Sequence, residues 1–368
     1  MAALIVAFLV SLTVTLLVLR YKHLHSHLSA DHDLTGIQKF HVAPVPRVGG
    51  VGVLIGLFGG VVSQRVADAS LSNLGYLLIA ASLPAFFAGL VEDLTKRVSV
   101  SKRLLATALS AALAGWMLEA WISRLAVPWL DVLLAFGFIS IFFTCFAVAG
   151  VANAFNLIDG YNGLAGMVAV IILFGLAYVA KQVGDREIMI TSLVVAGAIL
   201  GFLVWNYPRG LIFLGDGGAY LVGFLVAELS LLLVVRNPQV SPWFPLLLIF
   251  YPIFETLFSI FRRVIIGRRH PGLPDAAHLH QLIYRFVVRW AIGDQAPKRK
   301  IERNALTSPY LWVMASFAVV PSLFFWDNTP MLQLFIFLFA ILYVFTYRQV
   351  FKGKFPRWLS KRKKNQGR

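Results

Sequence analysis

The stretch MAALIVAFLVSLTVTLLVLR, residues 1–20, has no Lys or Arg before Arg20 and no small-residue cleavage pattern. A transmembrane helix needs about 20 mostly apolar residues. The stretch therefore predicts a first membrane span with its amino end outside, rather than a removable signal peptide.

Comparable apolar runs recur along nearly the whole chain. They predict spans near 2–19, 48–63, 71–91, 104–122, 129–150, 164–181, 189–206, 217–235, 242–261, 309–326 and 331–347. The second run is short and rich in glycine. Of 368 residues 59% are hydrophobic and only 14% charged, which is too apolar for a soluble protein of this length. The expected fold is all-α: a polytopic membrane bundle of about eleven helices, amino terminus periplasmic and carboxyl terminus cytoplasmic. Residues 1–348 are read as one transmembrane catalytic domain with cytoplasmic loops, among them 262–308, and 349–368 as a basic cytoplasmic tail.

Cytoplasmic loops retain Lys and Arg. Counted on the orientation above, 28 basic residues fall inside, and Arg65, Arg124, Lys181, Arg186 and Arg236 fall outside. The formal charge of +16 thus gathers on one face. That accounts for attraction to anionic membrane lipid, and the absence of a folded basic module argues against nucleic acid as a partner. The single cysteine, Cys145, lies in an apolar run and has no intramolecular partner.

With so few acids in the chain, the place of each one carries information. Five polar segments fall on the predicted inner side. Lys39-Phe40-His41 with Pro44-Val45-Pro46-Arg47-Val48-Gly49-Gly50 reads as a loop-to-helix junction whose glycines admit close approach of a ligand or a helix. Glu92-Asp93 ends the third span; adjacent carboxylates repel unless a cation or proton is shared, so metal or general-base work competes with a simple pairing to Lys96, Arg97 and Lys102. Asn153, Asn156 and Asp159 are each three apart, and on a continuing helix they fan over about 120° of one face. A polar cap followed by a glycine turn explains Asp159-Gly160, but not both asparagines.

Asp216, in Gly215-Asp216-Gly217-Gly218, begins the eighth span. It reads as a helix N-cap or, beside small residues, as a Mg²⁺ ligand near phosphate oxygens. The fifth segment, Pro274-Asp275-Ala276-Ala277-His278-Leu279-His280, lies in a basic loop with Arg268, Arg269 and His270. Histidines two apart suit a turn, and without nearby cysteines a zinc site is not expected. Exposed loop histidines and a phosphate grip are the two readings.

In this order the five segments resemble the polyprenyl-phosphate N-acetylhexosamine-1-phosphate transferase family, glycosyltransferase family 4. Its relatives include the enterobacterial-common-antigen and teichoic-acid initiating enzymes and, more distantly, the phospho-N-acetylmuramoyl-pentapeptide transferases. The resemblance runs from about Lys39 to about His280. It implies a bundle of ten or eleven spans with the site in a cytoplasmic cleft at the bacterial inner membrane. Two departures stand out: the family's usual Asp-Asp is Glu92-Asp93 here, and Asn162 occupies a place where many relatives have a second Asp.

The resemblance implies that a phosphate oxygen of undecaprenyl phosphate attacks the sugar-bearing phosphorus of a UDP-sugar, releasing UMP and initiating a lipid-linked surface glycan. Asp216 is then the expected Mg²⁺ ligand, with Mn²⁺ as an alternative ion. Asp93, helped by Glu92, keeps the lipid phosphate unprotonated, and Asp159 completes the catalytic set. Lys39, Arg47, Asn153, Asn156, Asn162, Arg268, Arg269, His278 and His280 are the substrate-binding candidates. A covalent route through Asp93 or Asp159 is the competing mechanism, and a homodimer is an open expectation. The rival functional classes are a transporter or lipid flippase, which would use Glu228 or Glu255 inside spans, and a lipid phosphatase. For Glu255 the reading is a structural partner to a neighbouring helix.

Overall fold

A computed structural model describes residues 1–31, 44–69, 73–266, 277–288 and 297–352. The long helices in chain order are α1 (Ala2–Arg20), α3 (Gly49–Ala67), α4 (Leu74–Thr95), α5 (Val100–Leu118), α7 (Gly137–Ile158), α8 (Leu164–Gln182), α9 (Arg186–Asn206), α10 (Gly215–Arg236), α14 (Pro297–Phe324) and α15 (Thr329–Phe351). Shorter helices are α2 (Lys22–Ser29), α6 (Pro128–Leu134), α11 (Trp243–Leu248), α12 (Phe250–Phe261) and α13 (Leu279–Leu282). One small antiparallel ladder joins β1 (Ala30–Asp31) to β2 (Val45–Pro46). Among the described residues nine helices are long and apolar enough to cross a membrane, so the protein is a polytopic membrane helix bundle.

α10 is the central helix and is buried along nearly its whole length, whereas α1 and α15 turn most of their surface outward. In a bilayer the apolar lipid gives no drive to hide Leu and Phe, so helices associate through close packing of small residues. The glycine-rich α3 follows this rule: Gly52 and Gly56 lie against Thr15 and Ser11 of α1.

The helix limits depart from the apolar runs at several places; α14, for one, starts at Pro297, well before the run at 309–326 and inside the expected 262–308 loop. The run 242–261 is two helices, because Pro252 cannot donate to the carbonyl one turn back and the chain breaks at Ile249 between α11 and α12. The run at 129–150 begins with the separate α6, and α7 continues through both asparagines to Ile158. α5 carries Lys102 and Arg103 in its first turn, where Ser99 caps it, and is not among the nine strongly apolar helices.

Candidate active site

The chain enters α10 through a segment that hydrogen-bonds to the residues leading into and beginning α3. Phe213 N–H donates to Pro46 O (2.8 Å), while Gly49 and Gly50 N–H donate to Phe213 O and Leu214 O (3.0 and 2.9 Å). Gly215 turns the corner with φ +76°, a conformation that a side chain disfavours. α4 then crosses α10 backbone to backbone: a Cβ on Gly89 would stand 2.5 Å from Gly217 N and 2.6 Å from Asp216 C. This approach brings the carboxylate at the end of α4 beside the one at the start of α10.

Four elements meet there. Asp216 Oδ1 accepts from Asn156 Nδ2 of α7 (3.0 Å) and Arg47 Nη2 (3.2 Å), and its Oδ2 accepts from Arg103 Nη1 of α5. Asp93 is 1% exposed. Its Oδ2 accepts the Gly217 N–H (2.9 Å), and Oδ1 lies 3.4 Å from Arg47 Nε without accepting a hydrogen bond. Arg47 therefore bridges the two acids. The guanidinium of Arg103 also sits 5.6 Å from the Tyr220 ring centroid, a cation–π contact, and the Tyr220 hydroxyl donates to Asn153 Oδ1 (3.1 Å).

Asp159 follows α7 as its C-cap. Burial pushes its carboxyl well above the usual range; Arg47 pulls it back down, while Asp216 and Asp93 push it further up. The next residues form a second wall. Tyr161 packs edge-on against His280 (5.5 Å between centroids), and Nε2 of His280 would lie 3.8 Å from a Cβ on Gly160. His278 and His280 stack nearly parallel, 5.1 Å apart and 3° between planes. Behind them is Glu255 of α12, 3.2 Å from His278 Nδ1. Its pairing to a neighbouring segment matches the structural reading of this acid.

Of the sequence candidates, Asp93, Asp216, Arg47, Asn153, Asn156 and Asp159 gather at one end of the bundle, with His278 and His280 adjoining through the Asp159–Tyr161 turn. Glu92 faces elsewhere and accepts the Val98 N–H (2.7 Å), closing the α4–α5 turn. Asn162 is a tie between segments: its N–H donates to Asn304 Oδ1 (2.8 Å), its Nδ2 to Pro208 O (3.0 Å), and its carbonyl accepts from Ser308 Oγ (2.6 Å). Lys39, Arg268 and Arg269 lie outside the described residues. Arg103 is the participant that sequence reading missed, having counted it only as a cytoplasmic charge. The available signal was an Arg beside Lys102 in the first turn of a mostly apolar helix, a short loop after an acidic pair.

Carboxylates, amides and guanidinium groups held together at one end of an apolar bundle define a membrane-embedded enzyme suited to anionic, phosphate-bearing substrates. Residues 75–234 match the family described as Glycosyl transferase family 4. The chain is 30% identical over 291 residues to the probable undecaprenyl-phosphate N-acetylglucosaminyl 1-phosphate transferase of Bacillus subtilis, covering 78% of each chain. It is 30% identical over 265 residues to the undecaprenyl-phosphate alpha-N-acetylglucosaminyl 1-phosphate transferase of Escherichia coli K12, 69% of each. The enzyme of that name from Thermotoga maritima is 28% identical over 260 residues, 70% of this chain and 74% of the other. The chain belongs to glycosyl transferase family 4, among its polyprenyl-phosphate sugar-1-phosphate transferases, as the five motifs led one to expect.

Proposed function

We propose that this chain transfers N-acetylglucosamine 1-phosphate from UDP-N-acetylglucosamine to undecaprenyl phosphate at the cytoplasmic face of the bacterial inner membrane, with Mg²⁺. The observation that carries the reading is the Arg47 bridge between Asp93 and Asp216. It sets two carboxylates and two guanidinium groups at the mouth of an apolar bundle, where a lipid phosphate and a nucleotide diphosphate can meet. The orientation is inferred from the distribution of basic residues, which favours the Arg47, Asp93 and Asp216 end inside.

The donor set suits a small hard cation. Mg²⁺ is usually held by one or two carboxylates plus water and substrate phosphates. Asp216 would hold the ion, and Asp93 Oδ1, buried without a hydrogen bond, is left to accept a proton. When bound, the ion neutralises charge on the diphosphate.

The residues themselves account for the rest. A phosphate oxygen of the acceptor forms a bond to the sugar-bearing phosphorus while the bond from that phosphorus to the UMP oxygen breaks, and UMP leaves. Asp93 takes any proton remaining on the acceptor phosphate. Arg47 and Arg103 add fixed positive charge beside the reacting phosphates, Asn153 and Asn156 orient them from α7, and the His278–His280 wall holds phosphate or sugar. The test is UMP release by the purified chain given undecaprenyl phosphate and a panel of UDP-sugars, with and without excess EDTA. Release with UDP-N-acetylglucosamine that EDTA abolishes is the expected result. No UMP with any donor would return the chain to the transporter reading, and full activity in EDTA would remove the metal.

A further inference from the structure

Asn304, Ser308 and Trp312 follow one another at four-residue steps on α14, so they share one face of the helix. All three meet the main chain of the turn between α7 and α8. Asn304 Oδ1 accepts the Asn162 N–H (2.8 Å), Ser308 Oγ donates to Asn162 O (2.6 Å), and Trp312 Nε1 donates to Gly163 O (3.2 Å). Asn304 and Ser308 are both buried, and an unmet backbone N–H or carbonyl beside them is costly. The far end of the turn is pinned separately, because Asn206 Oδ1 accepts the Gly163 N–H (2.6 Å). α14 thus sets where the middle of the turn lies, next to Tyr161 and three residues after Asp159.

The same helix backs the wall from behind. The Arg303 guanidinium lies 5.3 Å from the Tyr284 ring centroid, Tyr284 packs on Tyr161 at 5.6 Å, and Tyr161 packs on His280 at 5.5 Å. Asp93 and Asp216, by contrast, take their register from the Gly89–Gly217 crossing of α4 on α10.

We propose that Asn304 and Ser308 are positioning residues for the nucleotide-sugar: by gripping both backbone groups of Asn162 they hold Asp159 and Tyr161 at a fixed spacing from His280, the face on which the donor rests. This rests on the function proposed above. Both residues act through the turn and not on the substrate itself. The consequence is a division of labour, in which donor binding depends on α14 while Mg²⁺ and the lipid phosphate depend on the acids between α4 and α10.

The test is steady-state kinetics of the purified full-length enzyme, with UDP-N-acetylglucosamine, undecaprenyl phosphate and Mg²⁺ varied in turn. Losing one buried hydrogen bond is a change of about fivefold, so Ser308→Ala and Asn304→Ala should each raise the KM for UDP-N-acetylglucosamine by about that factor. The turnover number, the KM for undecaprenyl phosphate and the half-saturating Mg²⁺ should stay near wild type. Asn304→Asp keeps an oxygen to accept the Asn162 N–H and should recover most of the loss. A purely structural tie predicts less active enzyme, hence a lower kcat with the donor KM unchanged, and that result overturns the proposal. So does an equal rise in all the half-saturating concentrations, or an Asn304→Asp enzyme no closer to wild type than Asn304→Ala. Should the Asn304 variants not fold, Ser308→Ala, which removes a single hydroxyl, decides alone. Wild-type enzyme run in parallel separates the two readings: no UMP from wild type ends both, whereas wild-type turnover with an unchanged donor KM in the variants ends this one alone.

Discussion

Asn156 Nδ2 donates to Asp216 Oδ1 across 3.0 Å, joining the last turn of α7 to the first turn of α10. The amide orients the carboxylate without competing for its charge. Outer partners of this kind typically matter about 10–100-fold in metal affinity or activity. Asn156→Ala should fall in that range, read as a higher Mg²⁺ concentration for half-maximal UMP release. An unchanged Mg²⁺ requirement would sever the amide from the metal role of Asp216.

The two bridged acids should fail differently as amides. Asp216→Asn keeps size but removes the charge that holds a hard cation, so turnover and the Mg²⁺ dependence of UDP-sugar binding should both go. Asp93→Asn should leave nucleotide binding nearly intact and lower turnover, with the defect shrinking as pH rises and the acceptor phosphate ionises unaided. Binding measured with and without Mg²⁺, beside turnover against pH, checks both. Loss of nucleotide binding in Asp93→Asn alone would reverse the assignment.

Gly89 and Gly217 touch across α4 and α10, so Gly89→Ala must part the two backbones. Overpacking of this kind costs about 1–3 kcal/mol, and here it also separates Asp93 from the Gly217 N–H. Both the thermal midpoint and turnover should drop. Gly150→Ala on α7 meets nothing within 4 Å and should gain about 0.5–1 kcal/mol from reduced backbone entropy. Equal behaviour of the two variants would mean that the helices are not in contact.

Asp159 supplies a pH signature. Its carboxyl is raised in the folded protein, chiefly by burial, so the folded state holds its proton more tightly than the unfolded chain. Stability from this group is present below the ordinary Asp value of about 4 and declines as pH climbs through the raised one. Asp159→Asn should therefore raise the thermal midpoint at pH 7.5, with the gain fading toward pH 4, while turnover falls. A gain of equal size at both pH values would contradict the shift.

A reporter fused after Arg368 should be cytoplasmic and one inserted near Asn328, between α14 and α15, periplasmic. Both signals from one side would remove the orientation assumed for the site.

Run length in the sequence was enough for the helical bundle, because a bilayer demands long apolar helices wherever the chain crosses. It could not see the break at Ile249, since hydropathy is blind to the missing N–H of Pro252. Nor could it see α7 running on past its apolar part, where Asn153 and Asn156 find partners on α10. The acids and amides stood out because polar groups are rare and costly in such a chain. Arg103 did not, since the same charge that serves Asp216 also satisfies the rule for loop orientation. Glu92 and Asn162 carry motif-like positions, yet their contacts are fixed by a turn and by a distant helix, and only the tertiary structure supplies those partners.

The glycine crossing of α4 on α10 has an implication for how such an enzyme can diversify. Asp93 and Asp216 are registered by main chain against main chain, a joint with no side-chain slack that could be retuned by substitution. The opposing wall, from Asp159 through Tyr161 to His278 and His280, is made of side chains resting on other side chains. On the function proposed here, a lineage acquiring a different donor sugar would remodel that wall and leave the phosphate-handling floor as it is.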